Sequence, residues 1–545
     1  MKNKIIGVLE DALKKLSVED VNVYVEIPKN KDNGDFSTNV AMQLTKVLRK
    51  NPRLIAEDLI AEISDYDFIE KVEIAGPGFI NFYLKKSSLG EVLYEILTKK
   101  NDFGNSNVGE GKKVLLEYVS ANPTGTLHVG HARNAAYSDS LARIMKKAGY
   151  TVYREYYIND AGNQINNLVT SAIVRYKQAL GFSETLPEDA YHGDDIKVLG
   201  EELKEKFGDS LLEKENLETF IRSYAVDYEM RNIKKDLADF RVEYDNYFSE
   251  QSLHDMGLIN EALLKLQENG YVYEQDGALW LKTTAFNVGD DKDRVLVKQD
   301  KSLTYLASDV AYHKNKLDRG YDLLIDTLGA DHHGYIARLK ACVLAAGYKK
   351  EQLEVIIMQL VQLLNNGEIV KMSKRTGKSI TLRDLIDEVG VDAARYFLVM
   401  RSVDSHLDFD FAVAKEKSND NPLYYVQYAN ARICSVQRLA KEKNLTYNKA
   451  CDLSLLVDDN SQELLKLLAY YKEIVAQAAL NYEPHRVCNY LQNLASAFHK
   501  FYNNNKVIDE ENKNQTESFL TLIKAVSMII ENALDLIGVE AVEKM

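Results

Sequence analysis

Cysteine is scarce and scattered: Cys342, Cys434, Cys451 and Cys488 are the only four. No C-x-x-C spacing occurs, which argues against a zinc ribbon or a disulfide framework and makes a reducing cytoplasm the plain expectation. Proline is scarce too, 7 in 545 residues, while 46% of residues are apolar and 28% charged. That composition excludes long disordered tracts and leaves ample material for a large core. No uninterrupted run reaches the ~18 apolar residues that a membrane-spanning helix needs. The opening MKNKIIGVLEDALKKL has the outline of a signal peptide, yet Glu10 and Asp11 cut its apolar run and its period is helical. An excess of positive charge is missing too, since 68 Lys+Arg against 82 Asp+Glu give −14. Non-specific nucleic-acid binding is therefore disfavoured, and a specific RNA partner would have to be met by local basic patches.

A chain this long exceeds one hydrophobic core, and about three or four domains are expected. Residues 1 to about 100 read as a small α+β unit closed by FIEKVEIAGPGFINFYL, with Gly76-Pro77-Gly78 as the turn between two strands. The polar stretch from Asn101 reads as a linker. KVLLEYVS is then a strand, followed by the loop SANPTGTLHVGHARN, a helix in which Leu141, Ile144, Met145 and Ala148 keep helical spacing, and the strand YTVYREYYI. Lys146 and Lys147 suit that helix's last turn, and Gly149 its C′ position. A second strand–helix–strand unit follows in YDLLIDTL, IARLKACVLAAGY and LEVIIMQL. Two such halves predict a nucleotide-binding α/β core with a parallel sheet, split by a charged, mostly helical insertion at about 170–300. Asn366-Gly367 predicts a hairpin that delivers KMSKR, residues 371–375, and Thr381 is expected to cap the next helix. From about 405 onward the pattern reads as helical throughout, a bundle.

The loop before the first core helix holds His128 and His131 around Gly130. A strand running into a helix N-terminus presents free N–H groups and the positive end of the dipole, an anion site. Gly130 admits close approach of a ligand to the backbone, and two imidazoles can donate to phosphate. H-x-G-H alone equally fits two surface helix residues. KMSKR adds Lys371 and Lys374 on a hairpin-borne loop, able to meet charge that builds on a pyrophosphate. By itself a short charge run is more commonly a solvated basic loop. The two motifs in this order, each attached to its own half of the core, form a much more specific pattern.

HVGH with KMSKR resembles the signature pair of class I aminoacyl-tRNA synthetases. The stretch from Ser120 to Leu168, together with NYFSEQS, LTYLASDVAYH, NPLYYVQYANARI, GDFSTNVA and AGPGFINFYL, is similar to arginyl-tRNA synthetases over essentially the whole chain. The resemblance implies a Rossmann-like catalytic core at 106–404, an additional tRNA-contacting α+β domain at 1–105 and an anticodon-binding helical domain at 405–545. It implies the ATP-dependent ligation of L-arginine to tRNA-Arg through an arginyl-adenylate. His128, Gly130, His131, Lys371 and Lys374 would hold ATP, the histidines and lysines would be catalytic with Lys374 the more important lysine, and Mg²⁺ would arrive with ATP. Asn122 would hold the substrate's α-amino end, and Glu250 and Asp309 would face the guanidinium, a bidentate match. Tyr305 would add a hydroxyl, and His332 would line the amino-acid or adenosine pocket. Read without the resemblance, Asp309 suits an exposed helix position and Tyr305 a core aromatic. Asp331-His332-His333 hints at a metal, but no fourth ligand is evident and no bound zinc is expected.

Tyr424, Tyr425, Tyr428 and Arg432 would form an aromatic-basic patch for anticodon bases, with at least half of the tyrosines expected in the bundle core. A monomer and a tRNA requirement for amino-acid activation are the family tendencies. The rivals are less well matched. A cysteinyl enzyme needs a zinc-binding thiol cluster, and a glutamyl enzyme needs cations in its pocket. An H-x-G-H nucleotidyltransferase is far shorter. A non-catalytic RNA-binding derivative would have lost the histidines or lysines.

Overall fold

The computed structural model describes residues 2–18, 21–26, 28, 30–63, 66–370 and 380–545. At its centre is a five-stranded, all-parallel sheet. The strand order is Leu353–Met358, Leu323–Gly329, Lys113–Glu117, Thr151–Ile158, Asn246–Ser249. The central strand is short and wholly buried at Val114, Leu115 and Leu116, as a strand covered on both faces must be. The chain winds one way from it to Thr151–Ile158 and the other way to Leu323–Gly329. The crevice beyond its carboxyl end is therefore the topological switch point, where open α/β sheets bind ligands.

The helix Val129–Lys147 makes the first crossover. Ala132, Ala135, Ala136 and Ala142 are buried along it, so small side chains let it lie between the sheet and the C-terminal bundle. It ends as expected, with Lys146 and Lys147 in the last turn and Gly149 at φ 93°. Asp139 on this helix forms a fully buried ion pair with Arg395, which also donates to the Ile537 carbonyl. The Tyr137 hydroxyl donates to the Tyr482 carbonyl at 2.6 Å. Catalytic core and bundle thus meet along this helix and along Val391–Val399, where Gln492 donates to the Tyr396 hydroxyl.

The N-terminal unit is α+β. The helix Lys2–Lys15 packs with a four-stranded antiparallel sheet whose last hairpin, Ile69–Ala75 and Phe79–Leu84, turns at Gly76 and Gly78, both at positive φ. The bundle consists of Pro422–Glu442, Asp459–Leu480, His485–Asn504 and Lys513–Leu536.

Two short strands depart from the sequence-based reading. Asn246–Ser249 lies inside the region read as a mostly helical insertion but adds the fifth strand to the main sheet, in register with Glu155–Ile158. The insertion's later part is also a three-stranded antiparallel sheet, Val272–Gln275, Ala278–Leu281 and Arg294–Val297. Leu407–Asp410, in the region read as helical throughout, pairs parallel with Val361–Asn365. Its alternation is real, with Leu407 and Phe409 buried and Asp408 exposed, but four residues are too few for a period to declare itself.

Candidate active site

His128 is the N-cap of the Val129–Lys147 helix. Its Nδ1 accepts the backbone N–H of Gly130 at 3.0 Å and of His131 at 3.4 Å, while the Nδ1 of His131 accepts the N–H of His128 at 3.3 Å. This is a reciprocal capping box built from imidazoles, where oxygen side chains usually serve. With both Nδ1 atoms accepting, each ring carries its proton on Nε2 and presents an N–H donor away from the helix. Burial lowers the pKa of both rings, and with the neighbouring His128 it pushes His131 down to about 3. The pair is therefore neutral at physiological pH. The rings stack at 3.7 Å between centroids. A Cβ on Gly130 would lie 2.9 Å from Cε1 of His128, so the glycine makes room for the ring as well as for a ligand.

The loop into this cap is bent by Val119 (φ 65°) and Ser120 (φ 41°), a left-handed pair that costs a β-branched residue about 1–3 kcal/mol. Its hydrogen bonds hold the bend. Val119 N–H donates to Asn134 Oδ1 at 2.9 Å, and the Ser120 hydroxyl donates to Glu117 at 2.9 Å while accepting the Tyr157 N–H. Asn122, two residues on, donates to Gln164 Oε1 at 2.5 Å.

Lys371 and Lys374 lie outside the described residues, but the segments that bracket them do not. Asn366 (φ 52°) and Gly367 (φ 77°) turn the expected hairpin between Val361–Asn365 and Glu368–Ile369. Asp410 clamps it by accepting the N–H of both turn residues, at 3.1 and 2.8 Å. On the far side of KMSKR, Thr381 forms a β-bridge with His128, and Leu382 N–H donates to the Leu127 carbonyl at 2.7 Å. Thr381 also caps the helix Leu382–Val389. The chain that returns from the lysine motif is stitched directly to the histidine motif. Arg133, 1% exposed, adds a second tie by donating to the carbonyls of Gln359, Ser402 and Ser405.

Beyond the carboxyl ends of the sheet the two expected carboxyls come together. Glu250 opens the helix Glu250–Asp255 at the end of the fifth strand, and Asp309 sits one turn into the helix Tyr305–Asp318. The two carboxyls are close enough to repel each other. Burial pushes Glu250 up to about 7 against hydrogen bonds from Ser308 and Tyr157, with Asp309 and Asp160 raising it further. Burial also raises Asp309, opposed by a hydrogen bond from Tyr335. Behind Asp309, His313 and Lys316 face Asp326, with Lys316 fully buried and also paired to Glu117. Burial alone would raise Asp326, but Lys316 and His313 outweigh it and hold that carboxyl below the usual range. Of the other expected pocket residues, Tyr305 is 72% exposed at the helix start and His332 is exposed, its ring edge-on to Tyr335 at 6.3 Å. Tyr157, Ser308 and Tyr335 escaped the sequence reading. Only their hydroxyls beside carboxylates mark them, and those come from separate elements. Among the described residues, no group of three or more His, Cys, Asp or Glu is arranged to hold a metal ion.

On the helix Pro422–Glu442, Tyr424 stacks on Tyr428 (6.0 Å, 11°) and Tyr428 on His499 (5.8 Å, 28°). Tyr425 lies against the same imidazole at 4.7 Å. The Arg432 guanidinium lies over Tyr428 at 4.5 Å and Tyr502 at 4.9 Å. The expectation that at least half of Tyr424, Tyr425 and Tyr428 are core is corrected, since all three are only partly buried. His499 and Tyr502, on the helix His485–Asn504, complete a ladder that the sequence did not reveal.

A parallel sheet with a histidine-capped helix at its switch point, Thr381 and Leu382 paired beside that cap and a helical bundle define the architecture of a class I aminoacyl-tRNA synthetase. Family models agree. The model "tRNA synthetases class I (R), catalytic domain" matches residues 92–404, "Arginyl tRNA synthetase N terminal domain" 3–84, and "DALR anticodon binding domain" 426–545. Arginine--tRNA ligase 1 of Halalkalibacterium halodurans is 54% identical, covering 96% of this chain and 94% of its own. The arginine--tRNA ligase of Listeria welshimeri is also 54% identical, over 97% and 95%. The solved arginyl-tRNA synthetase of Thermus thermophilus, 22% identical, shares the fold with a TM-score of 0.78 and 100% coverage of both chains. The chain belongs to the arginyl-tRNA synthetase family.

Proposed function

We propose that the chain joins L-arginine to ATP, forming arginyl-adenylate and pyrophosphate, and then passes the arginyl group to the 3′-terminal adenosine of tRNA-Arg. One observation carries the reading: the chain leaving the lysine motif is bridged to His128, so both motifs serve one triphosphate, next to a pocket of paired carboxylates. The Nε2–H donors of His128 and His131 bind phosphate oxygens, with Gly130 beneath. As neutral donors they orient the triphosphate. Lys374, assisted by Lys371, supplies charge as the arginine carboxylate attacks the α-phosphorus and pyrophosphate leaves. Mg²⁺ enters with ATP as part of the substrate and neutralises phosphate charge. No covalent enzyme intermediate is required, because the attacking carboxylate is already ionised.

Asn122 holds the α-amino end of arginine. Glu250 and Asp309 take the guanidinium, Tyr305 adds a hydroxyl, and His332 borders the pocket. A guanidinium relieves the repulsion between the two carboxyls, which no neutral side chain does. Residues 1–105 contact tRNA, 106–404 catalyse, and 405–545 read the anticodon, where the Tyr424–Tyr428–His499 ladder with Tyr425 and Arg432 offers stacking faces and a cation. The working unit is a single chain in the cytoplasm. Among the described residues no helix is long and apolar enough to cross a membrane.

The test is ATP–pyrophosphate exchange with each of the twenty amino acids, with and without tRNA. Exchange with arginine alone, and only when tRNA is present, is the expected result. Preference for another amino acid would overturn the substrate assignment, and exchange with arginine without tRNA would overturn the tRNA requirement.

A further inference from the structure

We propose that Tyr335 is a positioning residue that sets arginine specificity, holding Asp309 so that one edge of its carboxylate stays free for a guanidinium. The inference rests on Asp309 and Glu250 forming the arginine pocket. Tyr335 ends the short turn Ala330–Tyr335 that follows the strand Leu323–Gly329, while Asp309 lies on the helix Tyr305–Asp318. Across that gap the Tyr335 hydroxyl donates to Asp309 Oδ2 at 2.5 Å. The nearest basic neighbour on the helix does not do this work, since His313 Nδ1 engages the backbone carbonyl of Asp309 and its Nε2 engages Asp326.

The ring itself is held. The Arg338 guanidinium lies over it at 5.4 Å, and His332 meets it edge-on. Burial and the Asp309 carboxylate both push the phenol's pKa up, so Tyr335 keeps its proton and acts only as a donor to Asp309. With Oδ2 engaged, Oδ1 is the acceptor left for substrate. Glu250 lies beside the hydroxyls of Ser308 and Tyr157. A preset Asp309 edge beside a second carboxylate matches the planar, multi-donor fork of a guanidinium; a lysine ammonium, a compact tetrahedral donor, does not fill both.

The hydrogen bond also favours the ionised form of a carboxyl that burial disfavours. From its own helix Asp309 faces His313 and Lys316, and from the adjoining strand Asp326. Glu250, Tyr157 and Cys342 face it from the other elements packed around it. Losing the phenol therefore moves Asp309 toward protonation without removing any charge.

The experiment compares Tyr335→Phe, Asp309→Asn and the double variant in full-length enzyme, by pyrophosphate exchange in the presence of tRNA across neutral pH. Tyr335→Phe is expected to raise the arginine KM about tenfold with the ATP KM unchanged. It is expected to move the acid limb of kcat/KM for arginine to higher pH, and to cost nothing further in the Asp309→Asn background. An unchanged arginine KM, an equal loss for ATP, an unmoved acid limb, or a full additive loss in the double variant would each overturn the role. Asp309→Asn leaving arginine binding intact would instead bring down the pocket assignment beneath it.

Discussion

The histidine cap and the paired carboxyls both lie beyond the carboxyl ends of one sheet's strands and are prepared in opposite ways. In the cap, backbone amides fix both tautomers, and the rings are neutral before anything binds. In the pocket, two carboxyls repel each other, and Glu250, raised to about 7, is half protonated near neutrality. One region is finished without its ligand, while the other is completed by the charge its ligand brings. An enzyme that must accept any ATP but only one amino acid gains from that difference, because an unsatisfied pocket rejects neutral competitors.

Breaking the pocket should give the largest effect. Asp309→Asn leaves Glu250 facing a guanidinium alone and is expected to raise the arginine KM by about 10²–10³-fold, with the ATP KM little changed. Equal losses for both substrates would erase the distinction between the regions. Next comes the cap. His128→Ala removes both a phosphate donor and the N-cap and should lower kcat about 10²-fold while costing about 1 kcal/mol of stability. His128→Asn keeps a capping acceptor but not the Nε2–H. Thermal melting and exchange rates together separate the two jobs, since Asn should restore the melting temperature but not the rate.

A smaller effect sharpens the contrast in pH. If Glu250 takes the guanidinium as proposed, the arginine KM should fall by several-fold as pH rises through about 7, whereas the ATP KM should stay flat over that range, the imidazoles being neutral throughout. Glu250→Gln should remove the slope near 7 and leave only the limb set by Asp309. The same shift sets a stability trend. Unfolded Glu250 loses its proton in the ordinary glutamate range and folded Glu250 near 7, so this group's contribution falls as pH climbs between the two and is level above. Saturating arginine should cancel the fall, as differential scanning calorimetry can test. The smallest effect is expected at the hairpin: Asp410→Ala frees the two turn amides and should lower kcat a few-fold with both KM values unchanged.

Much of this was legible in advance where a local rule has a strong signature. Asn-Gly announced the hairpin, Thr381 its helix cap, Gly149 a helix end, and the two strand–helix–strand units the parallel sheet. The strands at Asn246–Ser249 and Leu407–Asp410 stayed hidden because each is four residues long and takes its identity from the neighbour it pairs with. His128 was singled out as a candidate ligand-binding residue but not as a cap, because imidazole lies outside the usual capping set of Ser, Thr, Asp and Asn. Tyr157, Ser308 and Tyr335 could not be found by spacing, since they reach the pocket from a strand, a helix and a turn. Glu250 and Asp309 were named through the family resemblance, and without it their periodicity alone gave no reason to single them out.

Asn134 carries a consequence for how the protein is made. Its Oδ1 accepts the N–H of Val119 and the hydroxyl of Thr327, and its Nδ2 donates to the Thr327 carbonyl, 193 residues further along the chain. On the ribosome, the loop ahead of His128 emerges long before the partner that sets its shape. A nascent chain that has the histidines but not yet residue 327 holds the loop without its brace, so the loop takes its final form only after the second half of the core has been synthesised and docked.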